Sequence, residues 1–591
     1  MTGIHNLTPE QETFADHIGG AFVNACPGAG KTRTIIARLA RIAATLPSRQ
    51  GIAILSFTNS AVDEFRERCL AAGLNTLLQY PSFMGTLDAF VRHFVVLPSC
   101  AVSNQIRPII LDSWDTLGIE IRLSGQFAFR GEPVSLDLFD PETNIIDPDR
   151  IGHAGLQNHV RQHQLRYQQA AAHRRRSLLQ AGYMSAGDAR AQTLRLIRDN
   201  VIGGALARAL AARFQEVMVD EGQDCNPLDL QILTWLRAHG VNVTFVCDPD
   251  QAIYEFRNGN PQGIQVFKDT YPIASRKELT GNFRSSPAIC QLAASLRREG
   301  QVDRSLGESA NVDYPILLLT YGGRGPTAMI GQIFFERITE LGLDSTKAII
   351  LAHSGKVALR AAGVTSSNST GNSRIETLAR QVSKFWSPAA TPKTKENVVQ
   401  SVEILLLDLM GVRQPNEHLI KAIERLGMDR RAHRRCALSF LINLPKTCRD
   451  SDEERLAWIA CVHAEMERLH LPLPAGVSVR RFFRQPPNAH WSKHLQVPAA
   501  LGFACGNIHE VKGREYDAVC VVVPPNRAPE NRVEALFESW QARVDAEAKR
   551  VLYVGLTRAR NFVALAIPNA FAGRCVDLLA TRQVPYTRVD L

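Results

Sequence analysis

The stretch Ala25-Cys26-Pro27-Gly28-Ala29-Gly30-Lys31-Thr32 constrains this chain more than any other. An apolar run at residues 20–25 leads into it, and an amphipathic pattern at residues 31–44 leads out. Glycines allow a tight turn whose backbone amides face outward, and the helix N-terminus behind the turn adds a partial positive charge. Strand, turn and helix in that order make a cradle for phosphate. Lys31 brings a point charge for β- and γ-phosphates, and Thr32 a hydroxyl for a divalent cation. Ala25 stands where the strict pattern has glycine.

A phosphate loop of this kind needs a parallel sheet with crossover helices, and the rest of the chain reads that way. Apolar runs recur at residues 52–57, 214–219 and 241–247. The second of these ends in Asp220-Glu221-Gly222-Gln223-Asp224, at the carboxyl end of a strand where open parallel sheets keep their functional groups. Asp220 is placed to hold Mg2+, and Glu221 to polarise an attacking water as general base. Residues 97–186 form a polar, basic insertion with His159, Arg161, Arg166 and the run Arg174 to Arg176. His159 and His163 are four apart, yet no cysteine or glutamate adjoins them, so a solvated basic helix is expected there rather than a metal site. Beyond Arg284 a second alternating region has apolar runs at 316–319, 348–351, 518–523 and 562–567, with linkers at 366–373 and 388–392 and a helical stretch at 395–470.

With 591 residues the chain is too long for one core. Its formal charge of +10 favours a polyanionic partner through counterion release. Twelve cysteines are scattered with no Cys-x-x-Cys pair, and residues 1–9 lack a signal-peptide pattern, so reduced thiols in the cytoplasm are expected. No window has the roughly 20 uninterrupted apolar residues of a membrane helix.

Further motifs follow in a fixed order. Leu7-Thr8-Pro9-Glu10-Gln11 precedes the phosphate loop; Ser56-Phe57-Thr58-Asn59 and Gly85-Thr86-Leu87-Asp88-Ala89-Phe90 follow it. Then come Asp248-Pro249-Asp250-Gln251-Ala252-Ile253-Tyr254-Glu255-Phe256-Arg257 and Asn282-Phe283-Arg284-Ser285. Near the end stand His509-Glu510-Val511-Lys512-Gly513-Arg514-Glu515-Tyr516 and Tyr553-Val554-Gly555-Leu556-Thr557-Arg558-Ala559-Arg560. This series resembles the UvrD/Rep family of superfamily 1 helicases over nearly the whole chain. It departs from the family at Phe283 (usually tyrosine), Leu87-Asp88 (usually Phe-His), Asn258 (usually glycine) and Gly555 (often alanine).

The resemblance implies an α/β fold with two RecA-like parallel-sheet motor domains of the P-loop NTPase type, each carrying a mainly helical insertion. Residues 1–96 and 187–285 would form the first motor domain with 97–186 inserted, and 286–375 and 501–591 the second with 376–500 inserted. The resemblance makes ATP with Mg2+ the nucleotide and single-stranded DNA, with its junctions to duplex, the partner. Gln11 would contact the adenine, flanked by Arg33 and Phe283, and Glu515 the ribose. Gln251 would sense the γ-phosphate, and Arg284 and Arg558 would act as arginine fingers. Phe57, Thr58, Asn59, Thr86, Tyr254, Phe256, Arg257 and His509 would contact DNA, with Phe57, Tyr254 and Phe256 as stacking platforms. The expected activity is 3′ to 5′ translocation and unwinding. A second reading keeps the motor as the helicase-like subunit of a nuclease-linked repair or phage-defence system, similar to the short members found in Gabija operons. A third, of another class, is a DNA-end-sensing scaffold that does not translocate. Residues 561–591 are too few for a fused nuclease, so cutting is expected from a separate subunit.

Overall fold

The computed structural model describes all residues except 1–6, 103–105, 130, 132, 254–260, 298–301, 324, 364–372, 387–391, 415–418, 449–450, 485–490, 493–494, 496–503 and 526–532. The chain divides into two units, Met1–Asn282 and Phe283–Leu591. The break falls just ahead of Phe283, so Phe283 and Arg284 belong to the second unit rather than the first.

The first unit is built on a six-stranded sheet of β1 (Phe22–Ala25), β2 (Gly51–Ser56), β3 (Phe83–Thr86), β4 (Phe214–Val219), β5 (Asn242–Cys247) and β6 (Arg276–Leu279), in the order β6-β1-β5-β4-β2-β3. Every pairing is parallel. A parallel sheet is covered on both faces, so its inner strands read as continuous apolar runs instead of alternating. In β2, Ala53 and Leu55 enter one core with Val217, Val219 and Phe245, while Ile52 and Ile54 enter a second core with Val23, Met218 and Val246.

The second unit has six strands of its own: β7 (Ile316–Tyr321), β8 (Ala348–Ala352), β9 (Ala504–Asn507), β10 (Tyr516–Val522), β11 (Ala559–Pro568) and β12 (Tyr586–Asp590). Their order is β9-β8-β10-β11-β7-β12, again all parallel. The motif helix Glu547–Leu556 packs closely on this sheet. An added Cβ at Gly555 would come within 3.2 Å of the Ile508 and Val521 side chains, a tight fit that they would have to yield to.

Each unit carries an insertion. Between β3 and β4 lie helices Ala154–Gln162 and Gln164–Gln180, with His163 as the bend between them. The run Arg174 to Arg176 does not act as one basic stripe there: Arg174 and Arg176 are exposed, but Arg175 is buried and bonds to Asp188. Burying a guanidinium costs several kcal/mol unless it is paired, and Asp188 supplies the pair. Between β8 and β9, helices Arg374–Trp386, Pro392–Leu409, Arg430–Asn443 and Asp452–Arg468 enclose a separate core that includes Leu378, Val402, Phe440 and Trp458. Among the described residues, which include all twelve cysteines, there is no disulfide. Among the described residues no helix is long and apolar enough to cross a membrane.

Candidate active site

The phosphate loop leaves β1 at Ala25, which is fully buried and pairs with Leu279 as ordinary extended strand. Glycine is not required there, so alanine is tolerated. The turn itself does require it: Gly28 and Gly30 have φ of 73° and 69°, the left-handed region that residues with a Cβ avoid. Gly30 is the N-cap of the helix Lys31–Thr45 and offers no capping side chain. The amides of the first turn, with the dipole behind them, are therefore directed to an anion. Cys26 donates its backbone N–H to the Leu279 carbonyl, and Ala29 donates to Cys26. Pro27 has no N–H to offer the loop. Arg33 is half-buried on the first turn of that helix.

Gln11 sits beside this loop through local capping. Thr8 is the N-cap of the helix Pro9–Ala15, and Gln11 completes a capping box by accepting from Thr8 N–H at 3.0 Å. The other end of its amide donates to the Ala29 carbonyl at 2.9 Å, tying Gln11 to the phosphate loop. The helix is held in place by Arg38, which donates to the Phe14 carbonyl at 3.1 Å and forms a two-pronged pair with Glu216 of β4 at 3.0 and 2.8 Å.

At the carboxyl ends of β4 and β5 the acidic groups line up. Lys31 Nζ lies 3.8 Å from Glu221 Oε1. Glu221 has a φ of 55°, unusual for a residue with a side chain and the kind of local strain that surrounding structure must hold. Gln223 Nε2 donates to Glu221 Oε2, and Gln223 Oε1 accepts from Asp248 N–H at 3.1 Å. Asp248 Oδ2 in turn accepts from Gln251 Nε2 at 2.9 Å. Gln223, Asp248 and Gln251 are all buried. One continuous chain of polar contacts thus runs Lys31, Glu221, Gln223, Asp248, Gln251. The sequence pointed to its ends and middle acid but not to Gln223 or Asp248 as its links. Both residues lie inside the motifs quoted from the sequence, which gave them no role.

Asp220 is buried, and its Oδ1 has no hydrogen-bond partner among the described residues. Burial, with the neighbouring Glu221 carboxylate, pushes its carboxyl well above the usual range, while Lys31 opposes the shift. A buried carboxylate oxygen without a donor beside a phosphate loop fits a hard divalent cation, and Thr32 supplies a hydroxyl from the adjoining helix. Among the described residues no cluster of three or more His, Cys, Asp or Glu is arranged to hold a metal by protein ligands alone.

In the second unit, Glu515 is gripped by two arginines. Arg284 Nη2 lies 2.5 Å from one carboxylate oxygen and Arg560 Nη2 lies 2.8 Å from the other. Burial raises the Glu515 carboxyl, yet Arg284 and Arg560 outweigh it and hold it below the usual range. Arg284 also donates to the Thr557 carbonyl at 2.9 Å. Arg560 closes the motif that contains Arg558, but the sequence assigns it no role. Arg558 itself is buried, with Nε donating to the Val554 carbonyl at 3.0 Å. Phe283, next to Arg284, is half-buried.

Of the expected DNA-facing residues that are described, Phe57, Thr58 and Asn59 follow β2, Thr86 ends β3 and His509 follows β9. Ser56 of β2 pairs with Thr86 of β3, so the segments that follow them leave side by side. Thr58 caps the helix Asn59–Ala71 by accepting from Ala61 N–H, and Thr86 caps Leu87–Val91 by accepting from Ala89 N–H. Asn59 is exposed, whereas Phe57 is half-buried against the core. Leu87 is core, and Asp88 pairs with Arg190 at 2.8 Å, an arginine also held by Asp229 at 2.7 Å. These two positions are therefore engaged within the protein. His509 lies 5.4 Å from His353, ring to ring, on neighbouring strand ends of the second unit. Burial, then His353 and Lys512, lower its pKa to about 4, so it is neutral at pH 7. Tyr254, Phe256, Arg257 and Asn258 lie outside the described residues.

A family described as the UvrD/REP helicase N-terminal domain matches residues 7–121 and 135–272. The ATP-dependent DNA helicase UvrD2 of Mycobacterium tuberculosis (strain ATCC 25618 / H37Rv) is 24% identical over 636 aligned positions, covering 97% of this chain and 80% of that protein. The ATP-dependent DNA helicase PcrA of Leuconostoc citreum is 27% identical over 290 positions, 46% of this chain and 36% of the relative. A putative ATP-dependent DNA helicase, YjcD of Bacillus subtilis (strain 168), is 31% identical over 130 positions, 22% of this chain and 17% of the relative.

Proposed function

Because this chain belongs to the UvrD/Rep type of superfamily 1 helicases, we propose that it is an ATP-dependent DNA motor that moves 3′ to 5′ along single-stranded DNA and opens duplex at junctions. The observation that carries this reading is the polar chain from Lys31 through Glu221, Gln223 and Asp248 to Gln251. It joins a phosphate-binding lysine, a general base and a γ-phosphate sensor in one unit, and the sensor leads directly into the segment expected to touch DNA.

Phosphoryl transfer needs positioning and charge compensation more than covalent chemistry. The loop amides and Lys31 hold the β- and γ-phosphates, Gln11 and Arg33 the base, and Glu221 orients and deprotonates the attacking water. Thr32 and Asp220 would hold a magnesium ion, which would neutralise phosphate charge. An arginine finger contributes about 10³ to 10⁵ in rate, or roughly 4 to 7 kcal/mol. The candidates, Arg284 and Arg558, belong to the second unit, while Lys31 and Glu221 belong to the first. Efficient hydrolysis in this scheme requires closure of the two motor domains, and loss of the γ-phosphate releases them, so chemistry becomes displacement. The insertions at 97–186 and 376–500 serve as accessory subdomains. The motor works in the cytoplasm.

Steady-state ATP hydrolysis with and without a single-stranded oligonucleotide tests the core of this reading, with Glu221→Gln as the control. DNA should raise the rate many-fold, and the substitution should abolish it. Hydrolysis indifferent to DNA would point to a scaffold instead. Unwinding only from 5′ overhangs would overturn the polarity.

A further inference from the structure

One guanidinium joins the segment that carries Thr86 to the turn that carries Glu221. Helix Ala186–Arg198 leads out of the first insertion and presents Arg190, largely buried, between two carboxylates. Its Nη2 lies 2.8 Å from Asp88 Oδ1, and its Nε donates to Asp229 Oδ1 at 2.7 Å. A guanidinium is a rigid planar fork, so the two acids it bridges are fixed relative to each other. Their settings differ: the Asp88 side chain is 47% exposed and that of Asp229 only 1%. Asp88 stands on the first turn of the helix Leu87–Val91, which Thr86 caps, so whatever displaces Thr86 moves Asp88 with it. Leu87 of the same turn packs in one core with Cys225 and Leu230.

Asp229 anchors the acidic turn. Asn226 is the N-cap of helix Pro227–Ala238, and Asp229 completes its capping box. Asp229 Oδ2 accepts from Asn226 N–H at 3.1 Å, and Asn226 Oδ1 accepts from Asp229 N–H at 3.0 Å. That box fixes where the turn Gly222–Asp224 ends. Cys225 donates its backbone N–H to the Gly222 carbonyl at 3.1 Å, and Asp224 donates to the Glu221 carbonyl at 3.0 Å, beside the positive φ of Glu221. A phosphate arriving at Thr86 repels the Asp88 carboxylate and draws on Arg190, so this guanidinium is shared differently with and without DNA. Resting on the motor reading, in which Thr86 contacts DNA and Glu221 is the general base, we propose that Arg190 is a positioning residue. It relays DNA occupancy at Thr86, through Asp229 and the Asn226 cap, to the backbone that aims Glu221 at the attacking water.

The test measures ATP hydrolysis by the full chain without DNA and with a saturating single-stranded oligonucleotide, together with the DNA concentration that gives half-maximal stimulation. Arg190→Lys keeps a cation beside the buried Asp229 but is a point charge that cannot bridge two carboxylates as a fork does. The ratio of DNA-stimulated to DNA-free kcat should fall about fivefold or more. Asp88→Asn removes charge with little change of shape and leaves Arg190 its bond to Asp229. It should lower the same ratio about threefold while the half-maximal DNA concentration stays within about twofold. A purely structural ion pair would lower both rates by a common factor and leave the ratio unchanged. Parallel loss of both rates in Arg190→Lys, or an unchanged ratio in Asp88→Asn, overturns the relay, and Asp88→Asn decides alone if Arg190→Lys does not fold. An unaltered chain that DNA does not stimulate would overturn the motor reading and the relay with it, whereas normal stimulation with unchanged ratios in both variants would remove the relay only.

Discussion

Replacing Gln223 with glutamate isolates the link between general base and γ-phosphate sensor. The new side chain has nearly the same shape and keeps the oxygen that accepts from Asp248 N–H at 3.1 Å. What it loses is the Nε2 donor to Glu221, and a carboxylate oxygen then faces the Glu221 carboxylate instead. A hydrogen bond to a charged group is worth about 1.5 to 3 kcal/mol. Losing about 2 kcal/mol of orientation at the general base corresponds to roughly a 30-fold fall in kcat. Repulsion between the two carboxylates adds to this, up to the point where one of them takes a proton. The defect relative to the unaltered enzyme should therefore shrink as pH falls from about 8 to about 6, because a protonated carboxyl regains an O–H donor toward Glu221. Stopped-flow detection of released phosphate, saturated with DNA and ATP, measures kcat directly, and KM for ATP should move by less than a few-fold. A kcat within twofold of the unaltered enzyme across this pH range would refute the claim that Gln223 positions Glu221.

Three other outcomes follow from particular contacts. Arg38→Met should destabilise the first unit by about 3 to 5 kcal/mol, because it strands the buried Glu216 carboxylate, and a second change, Glu216→Leu, should recover most of that loss in urea unfolding. A loss below about 1 kcal/mol in the single variant would contradict the assignment. His509, with a pKa lowered to about 4, gains no charge between pH 8 and pH 6, so the pH dependence of single-strand binding by His509→Gln should run parallel to that of the unaltered chain in anisotropy. Asp88→Ala should change single-strand affinity by less than about twofold, since Asp88 is engaged by Arg190 and Arg190 keeps Asp229, and the rim contact it gives up is of the weak, partly exposed kind.

Eight of the twelve strands in the two sheets coincide with apolar runs recognisable in the sequence, among them β4 at Phe214–Val219 and β7 from Ile316. The four not foreseen, β3, β6, β9 and β12, are the edge strands of their sheets. An inner strand of a parallel sheet is buried on both faces and must be apolar throughout, whereas an edge strand has one neighbour and can be short or polar. Thus, among the described residues, Arg276-Lys277-Glu278-Leu279 pairs only with β1, and Tyr586-Thr587-Arg588-Val589-Asp590 only with β7. The basic insertion was misleading in a similar way: charge along a helix does not reveal that Arg175 turns inward to Asp188 while its neighbours face water.

The sequence by itself determined the chemistry that depends on local order. A glycine-rich turn between strand and helix turns backbone amides outward toward an anion, and an acidic pair at a strand end places carboxylates at a sheet edge. Only the tertiary structure decided which side chains hold those groups in position. Gln223 meets Asp248 because β4 and β5 are parallel neighbours, and Glu515 meets Arg284 and Arg560 because the second unit folds distant segments together. Such partners are separated along the chain by tens to hundreds of residues, and no periodicity or spacing carries their pairing. It arises from strand order and packing, which bring into contact polar groups that burial then obliges to find each other.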